Sequence, residues 1–223
     1  MAKSEIMQVQ VDVWSDYVCP FCYLEQPVLA QIAQKYGTRV AVRWRAFELR
    51  PDPVPTLKPD GTYLRDIWAR AVYPMANERG MTLRLPPRQP RSRLAHESAL
   101  FAAKRGLFDV MNTALFRAFF EDGHDIGDPM KLVEIGASIG LNAGELRQAL
   151  DDGFHRDSVI ADQELARKLA ISGVPALLIH HQNEPLEQAI EVIGAQPFGY
   201  VREALERSLS ATGPGASDLG DHS

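Results

Sequence analysis

Strand-like alternation of apolar and polar residues is confined to the two ends of this 223-residue chain. Near the start, QVQVDVW (8–14) puts Val9, Val11 and Val13 on one face of a strand, and RVAVRWRAF (39–47) repeats the pattern with Val40, Val42, Trp44 and Ala46. Between them, YLEQPVLAQIAQKYG carries Val28, Leu29, Ile32 and Ala33 at helical spacing and stops at Gly37. Pro27 lies inside that helix without the N–H that would bond one turn back, so a kink is expected there. Strand, helix and strand in this order make a crossover unit with parallel strands. Near the other end, ALLIHH (176–181) and AIEVIG (189–194) flank a turn at Asn183–Pro185 and read as a hairpin, followed by an amphipathic helix over FGYVREALERSL (198–209).

The middle of the chain is helical. After the proline-rich PDPVPTLKPDGT (51–62), helices are expected over Tyr63–Arg79 and Arg93–Arg105, and over LFDVMNTALFRAFFEDG, where Leu107, Val110, Met111, Leu115 and Phe119 form one stripe. Asp128 precedes Pro129 as an N-cap, and Asn142 caps the next helix with Glu145 as its capping-box partner. The two ends therefore assemble one four-stranded sheet with helices on both faces, and the middle is a helical insertion. The expected division is 1–60 with 158–210 as a discontinuous α/β domain, 61–157 as the insertion, and 211–223 as a Gly-rich disordered tail.

A hydrophobic fraction of 45% and a charged fraction of 24% are those of an ordinary globular chain. The net charge of −5 gives no reason to expect a nucleic-acid or anionic-membrane partner. No apolar run approaches the ~20 residues that cross a bilayer, and MAKSEIMQVQVDV lacks the apolar core of a secretion signal. A cytoplasmic location is the expectation. Thiols there are kept reduced, so a cysteine pair reads as catalytic or metal-binding rather than as a staple.

The only two cysteines are Cys19 and Cys22, in WSDYVCPFCYLEQP (14–27). Cys19 falls where the loop after the first strand meets the helix, facing free backbone N–H groups and the positive end of the helix dipole, which favour thiolate. Cys22 sits one turn further in, within reach of a mixed disulfide on Cys19, and Pro20 suits the first helical turn. Cys19 would then attack a substrate disulfide and Cys22 would resolve the product. A zinc half-site is the first rival reading, but it lacks a second cysteine pair, and the adjacent His180 and His181 point to opposite faces of a strand. Two inert core cysteines are the other rival.

The redox reading needs a surface that holds an extended substrate against the cysteines. Gly-Val-Pro before the third strand, in ISGVPALLI (171–179), supplies it if the Val174–Pro175 bond is cis, leaving the Val174 N–H and C=O free. Together SDYVCPFC, Pro27, the helical insertion and GVPAL before a hairpin resemble the DsbA-like thioredoxin-fold oxidoreductases. LFRAFFEDGHDIGDP and GAQPFGYV also resemble segments of their cytosolic FrnE-like branch, to which the chain is most similar, and the resemblance covers about residues 8–208. The resemblance implies a thioredoxin fold interrupted by an all-helical domain, with Cys19 nucleophilic, Cys22 resolving and Pro175 cis. Val174, Pro20 and Phe21 are the candidate substrate contacts. No bound cofactor is implied beyond the Cys19–Cys22 disulfide, and glutathione is a candidate co-substrate. Substrates would be protein or small-molecule disulfides, with a cellular thiol as reductant. The resemblance also admits a homodimer, for which no motif is legible. Phe21 stands where many such relatives have Trp or His. Without a histidine donor the Cys19 thiolate is less stabilised, which favours a reductase or isomerase over a net oxidase. A glutathione-dependent isomerase or kappa-type transferase on the same fold is the alternative; such an enzyme needs no resolving thiol.

Other residues carry two readings each. Asp12, on the polar face of the first strand, resembles the buried acid that relays the resolving cysteine's proton in thioredoxin-like proteins, or is a solvated strand charge. Asp16 is expected to shape the turn. The four arginines of RLPPRQPRSR (84–93) either meet an anionic substrate or line a hydrated connection. His96 could reach the cleft or sit hydrogen-bonded in place, and Met75, Met81 and Met111 could line a groove or fill a core.

Overall fold

The computed structural model describes residues 9–182 and 184–210; turn residue Asn183 and the tail from 211 lie outside the described residues. Four strands form one sheet: β1 (Val9–Ser15), β2 (Val40–Ala46), β3 (Ala176–His181) and β4 (Ile190–Ile193), in the order β2-β1-β3-β4. β1 runs parallel to β2 and antiparallel to β3, and β3 pairs antiparallel with β4. The crossover and hairpin expected from the apolar patterns are both present.

Between β1 and β2 runs α1 (Pro20–Tyr36), which continues through Pro27 and ends at Gly37. Gly37 has φ +53, a conformation that costs a residue without a Cβ nothing, and its N–H bonds back to the Ala33 carbonyl. Helix α2 (Thr62–Ile67) leads through a π turn (Trp68–Val72) into α3 (Tyr73–Glu78), so the single helix expected over this stretch is interrupted in its hydrogen bonding. Pro74 explains the change. It has no N–H for the preceding turn and its ring crowds the carbonyl one turn back, which a π turn relieves. The insertion continues with α4 (Arg93–Ala103), α5 (Phe108–Phe120), α6 (Pro129–Ser138) and α7 (Ala143–Asp151). Helix α8 (Arg156–Lys168) returns the chain to the sheet, and α9 (Phe198–Ser210) closes it.

Three apolar clusters hold these layers. On one face of the sheet Val9, Val11, Val13, Leu177 and Ile179 pack against Val28, Leu29 and Ile32 of α1 and Val201 and Leu205 of α9. On the other, Trp14, Ala176 and Leu178 pack against Ala166 and Ile171 at the end of α8. The largest cluster lies inside the insertion, around Trp68, Leu115, Phe116, Phe119, Phe120 and Leu132, and it takes in Tyr17, Cys19, Cys22 and Leu24. The first turns of α1 thus belong to the insertion's core and its later turns to the sheet, which puts the two cysteines at the seam. The methionines that could have lined a groove belong to the core instead: Met111 is buried, and Met75 and Met81 pack against this cluster.

Two of the four arginines in the proline-rich connection make structural bonds, while Arg84 and Arg88 are exposed. Arg93 pairs with buried Glu48 through Nε and Nη2, at 2.7 and 2.6 Å. Arg91 pairs with Asp52 at 2.9 Å and donates to the Arg50 and Val54 carbonyls. These bonds tie the insertion to the loop after β2.

Candidate active site

Cys19 is the N-cap residue of α1, with extended backbone (φ −94, ψ 114) and Pro20 following at the first helical position. Its N–H donates to the Asp16 carbonyl at 3.0 Å, and its carbonyl accepts from Cys22 N at 3.1 Å, closing the first turn. The Val174–Pro175 peptide is cis. The Val174 carbonyl stands 3.4 Å from Cys19 Sγ and accepts its thiol proton. The candidate nucleophile and the candidate substrate-docking loop are therefore in contact, although 155 residues separate them.

Cys22 lies behind Cys19 and is 1% exposed. The two cysteines are not joined in a disulfide. Burial pushes the Cys22 thiol well up, and the adjacent Cys19 sulfur pushes it further; the Asp16 N–H, 3.4 Å from Cys22 Sγ, and the Ser15 hydroxyl pull weakly the other way. Cys22 is therefore a proton-holding thiol until a step draws the proton away.

Asp12 is fully buried beneath α8 rather than solvated. It accepts from Arg45 Nε at 2.6 Å and from Gln10 Nε2 at 2.7 Å, and its Oδ2 lies 2.8 Å from His180 Nε2. Burial alone would raise its carboxyl; the bonds from His180, Arg45 and Gln10, with the Arg45 charge, outweigh it and hold the group below the usual carboxylate range. Arg45 also binds Asp162 at 2.9 Å, and Trp14 Nε1 donates to the Asp162 carbonyl at 3.1 Å. None of the partners of Asp12 is a cysteine, so Asp12 ties β1 to β2 and β3, and the expected proton-relay contact is absent from its bonds.

Asp16 takes the place beside the dithiol that Asp12 was expected to hold. Its carboxylate accepts from Val18 N at 3.3 Å and Leu49 N at 2.7 Å, which fixes the turn as expected, while its own N–H reaches Cys22. His96 is buried next to it, with Nε2 3.6 Å from Asp16 Oδ1 and its ring 4.9 Å from that of Tyr17. Neither contact shows in the sequence, because both join residues of separate elements.

Beside Cys19 opens a cleft of about 390 Å³. Pro20, Phe21, Leu57, Tyr63, Ile67 and Trp68 line it, and Arg50 is the one cation among the described residues that do so. The Arg50 guanidinium has no ion-pair partner among the described residues.

The DSBA-like thioredoxin domain family matches residues 10–206, nearly the full length of the fold. The chain belongs to that family. The YwbO protein of Bacillus subtilis (strain 168), uncharacterised itself, is 33% identical over 154 residues, 68% of this chain and 76% of that protein. A probable DsbA oxidoreductase from Streptomyces coelicolor is similar in structure with TM-score 0.76 and 27% identity, covering 93% of this chain and 92% of that one. The cytosolic disulfide reductase DsbM from Pseudomonas aeruginosa, solved with GSH, shares the fold at TM-score 0.65 and 20% identity, over 88% of this chain and 99% of its own. This DSBA-like chain is thus an enzyme of the disulfide oxidoreductase kind, and its site is built on a thioredoxin fold that carries a helical insertion.

Proposed function

We propose that the protein is a cytoplasmic thiol-disulfide oxidoreductase of the FrnE-like branch that works through Cys19 and Cys22. One observation carries this reading: Cys19 Sγ meets the Val174 carbonyl at the cis bond, while a buried, protonated Cys22 waits behind it. Cys19, as thiolate, attacks a substrate disulfide and expels one thiolate, which takes a proton. Cys22 then loses its proton, attacks the Cys19 sulfur and releases the second substrate thiol. The bound substrate replaces the Cys19 thiol on the Val174 backbone, and Pro20 and Phe21 contact it from the helix side. A cellular thiol, with glutathione the candidate, returns the disulfide to dithiol. In support, Arg50 lines the cleft with no ion-pair partner among the described residues, where it can meet a glutathione carboxylate.

The reductase or isomerase direction is favoured because Phe21 offers no hydrogen-bond donor to the Cys19 thiolate. The equilibrium potential of the pair is expected nearer thioredoxin's value of about −270 mV than the strongly oxidising value of about −120 mV. Titration against glutathione buffers measures it. Cys19→Ser should abolish disulfide reduction, and Cys22→Ser should accumulate a mixed disulfide on Cys19, visible by mass. The apolar cleft favours one second reading, a glutathione-dependent isomerase or kappa-type transferase acting on a small apolar substrate. Isomerisation or conjugation that survives in Cys22→Ala, with no dithiol turnover in the parent, would select it.

A further inference from the structure

The mechanism needs an acceptor for the Cys22 proton, and the thiol sits where water does not reach: Cys22 is 1% exposed and its thiol is pushed up by burial. Asp12 does not serve, since its carboxylate is held by Arg45, Gln10 and His180. On the insertion side of the dithiol, a small pocket of about 20 Å³ is lined by Ser15, Tyr17, Arg45, His96 and Asn112 among others. That volume has room for one water molecule. Ser15 lines the pocket, and its hydroxyl also bears on the Cys22 thiol.

His96 is 5% exposed, and its Nε2 finds no hydrogen-bond partner among the described residues. A buried imidazole nitrogen left unpaired is unusual, because desolvating it without a bond is unfavourable. The other groups facing the pocket cannot take a proton in its place. The Arg45 guanidinium is bound by Asp12 and Asp162. Burial and the nearby Asp16 charge push the Tyr17 phenol up, and its hydroxyl donates to Asn112 Oδ1 at 3.0 Å. Asp16 accepts two backbone N–H bonds, and its Oδ1 lies 3.6 Å from His96 Nε2, placed to stabilise an imidazolium. Glu97, the next residue on α4, is buried as well.

We propose that Ser15, one pocket water and His96 form the proton relay of the resolving cysteine. In the resolving step, which rests on the dithiol reading above, Cys22 passes its thiol proton to the Ser15 oxygen while the Ser15 hydroxyl proton moves through the water to His96 Nε2. The Cys22 thiolate attacks the Cys19 sulfur of the mixed disulfide, the new Cys19–Cys22 bond forms and the substrate thiolate leaves. The imidazolium is held by the Asp16 carboxylate and gives its proton to solvent or to the departing thiolate. Reduction of the disulfide runs the same path backwards. His96 acts on Cys22 through Ser15 and is a positioning residue, not a group that touches substrate.

The test uses 5,5′-dithiobis(2-nitrobenzoate) and the reduced full-length protein in stopped flow. Cys19 attack releases a first thionitrobenzoate in a phase proportional to reagent concentration. Cys22 attack releases a second, in a phase independent of it. His96→Gln should slow the second phase about 10- to 100-fold at pH 7, within the usual reach of general-base catalysis. The deficit should shrink as pH rises, because hydroxide replaces the relay. Ser15→Ala, which cuts the path at its first link, should show the same pH-dependent deficit and stands as the second variant if the histidine substitution fails to fold. An unchanged second phase in these variants, or a slowing equal at every pH, overturns the relay and leaves the dithiol reading intact. Absence of a second thionitrobenzoate from the parent protein overturns the dithiol reading itself.

Discussion

At the scale of single residues, the two cysteines differ by what surrounds them. Cys19, 4% exposed, is an N-cap that lines a cleft, whereas Cys22, 1% exposed, lies behind it under an Asp16 N–H. A small alkylating agent at pH 8 should therefore modify Cys19 first, with Cys22 at least tenfold slower because burial keeps it a thiol. Peptide mapping after timed quenching reads the order, and equal rates would contradict the asymmetry. Asp12 offers a second residue-scale expectation. Asp12→Ala leaves Arg45 and His180 facing a void, and losing one partner of a buried pair costs about 3–5 kcal/mol. Because the folded carboxyl titrates below its unfolded value, its contribution is present above about pH 4 and is lost as pH falls through the folded value. Urea unfolding of parent and variant should show a gap that is wide at pH 7 and narrows in acid.

Among the elements, those whose ends were legible carry local chemistry. Asp128 Oδ1 accepts from Met130 N at 2.9 Å and Asn142 Oδ1 from Glu145 N at 3.0 Å, so both N-caps stand where the sequence puts them. The other half of the expected capping box does not form. Glu145 turns to Arg105 at 2.6 Å, an interaction between helices that no short-range pattern contains. Asn142→Ala should cost about 1 kcal/mol, the usual worth of a cap. Arg105→Ala should cost less than that, since exposed ion pairs contribute about 0–1 kcal/mol. Equal losses in chemical denaturation would show that the exposed pair, not the cap, holds α7 in place. The same division between local and distant explains what the sequence revealed of the site. CPFC and Val174–Pro175 are short motifs with their own geometry, whereas the nearness of His96 to Asp16 and Ser15 arises only when α4 packs against the loop after β1.

For the whole molecule, the order of elements was legible because strand periodicity occurs only near the chain ends, and one sheet is the arrangement that buries both. The seam was not, because it depends on how α1 divides its side chains between two cores. Arg79 spans that seam. From the end of α3 it donates to the Leu24 carbonyl, to Glu25 Oε2 at 3.1 Å and to the Gln196 carbonyl at 2.9 Å, linking the insertion, α1 and the loop between β4 and α9. Its partner Glu25 is fully buried, and Glu25 Oε1 has no hydrogen-bond partner among the described residues. Desolvation therefore outweighs the Arg79 charge and raises the Glu25 carboxyl to about 7. A carboxyl raised on folding binds its proton more tightly in the native state, so stability is greatest near and below the unfolded value of about 4.3 and falls as pH climbs towards 7. Glu25→Gln keeps an oxygen for Arg79 and removes the titration. Urea midpoints measured from pH 5 to pH 8 should decline in the parent and be flatter in the variant, leaving the variant relatively more stable at pH 8 than at pH 5. Parallel declines would mean that the Arg79 charge wins at this seam, with Glu25 ionised throughout and the clamp a conventional ion pair.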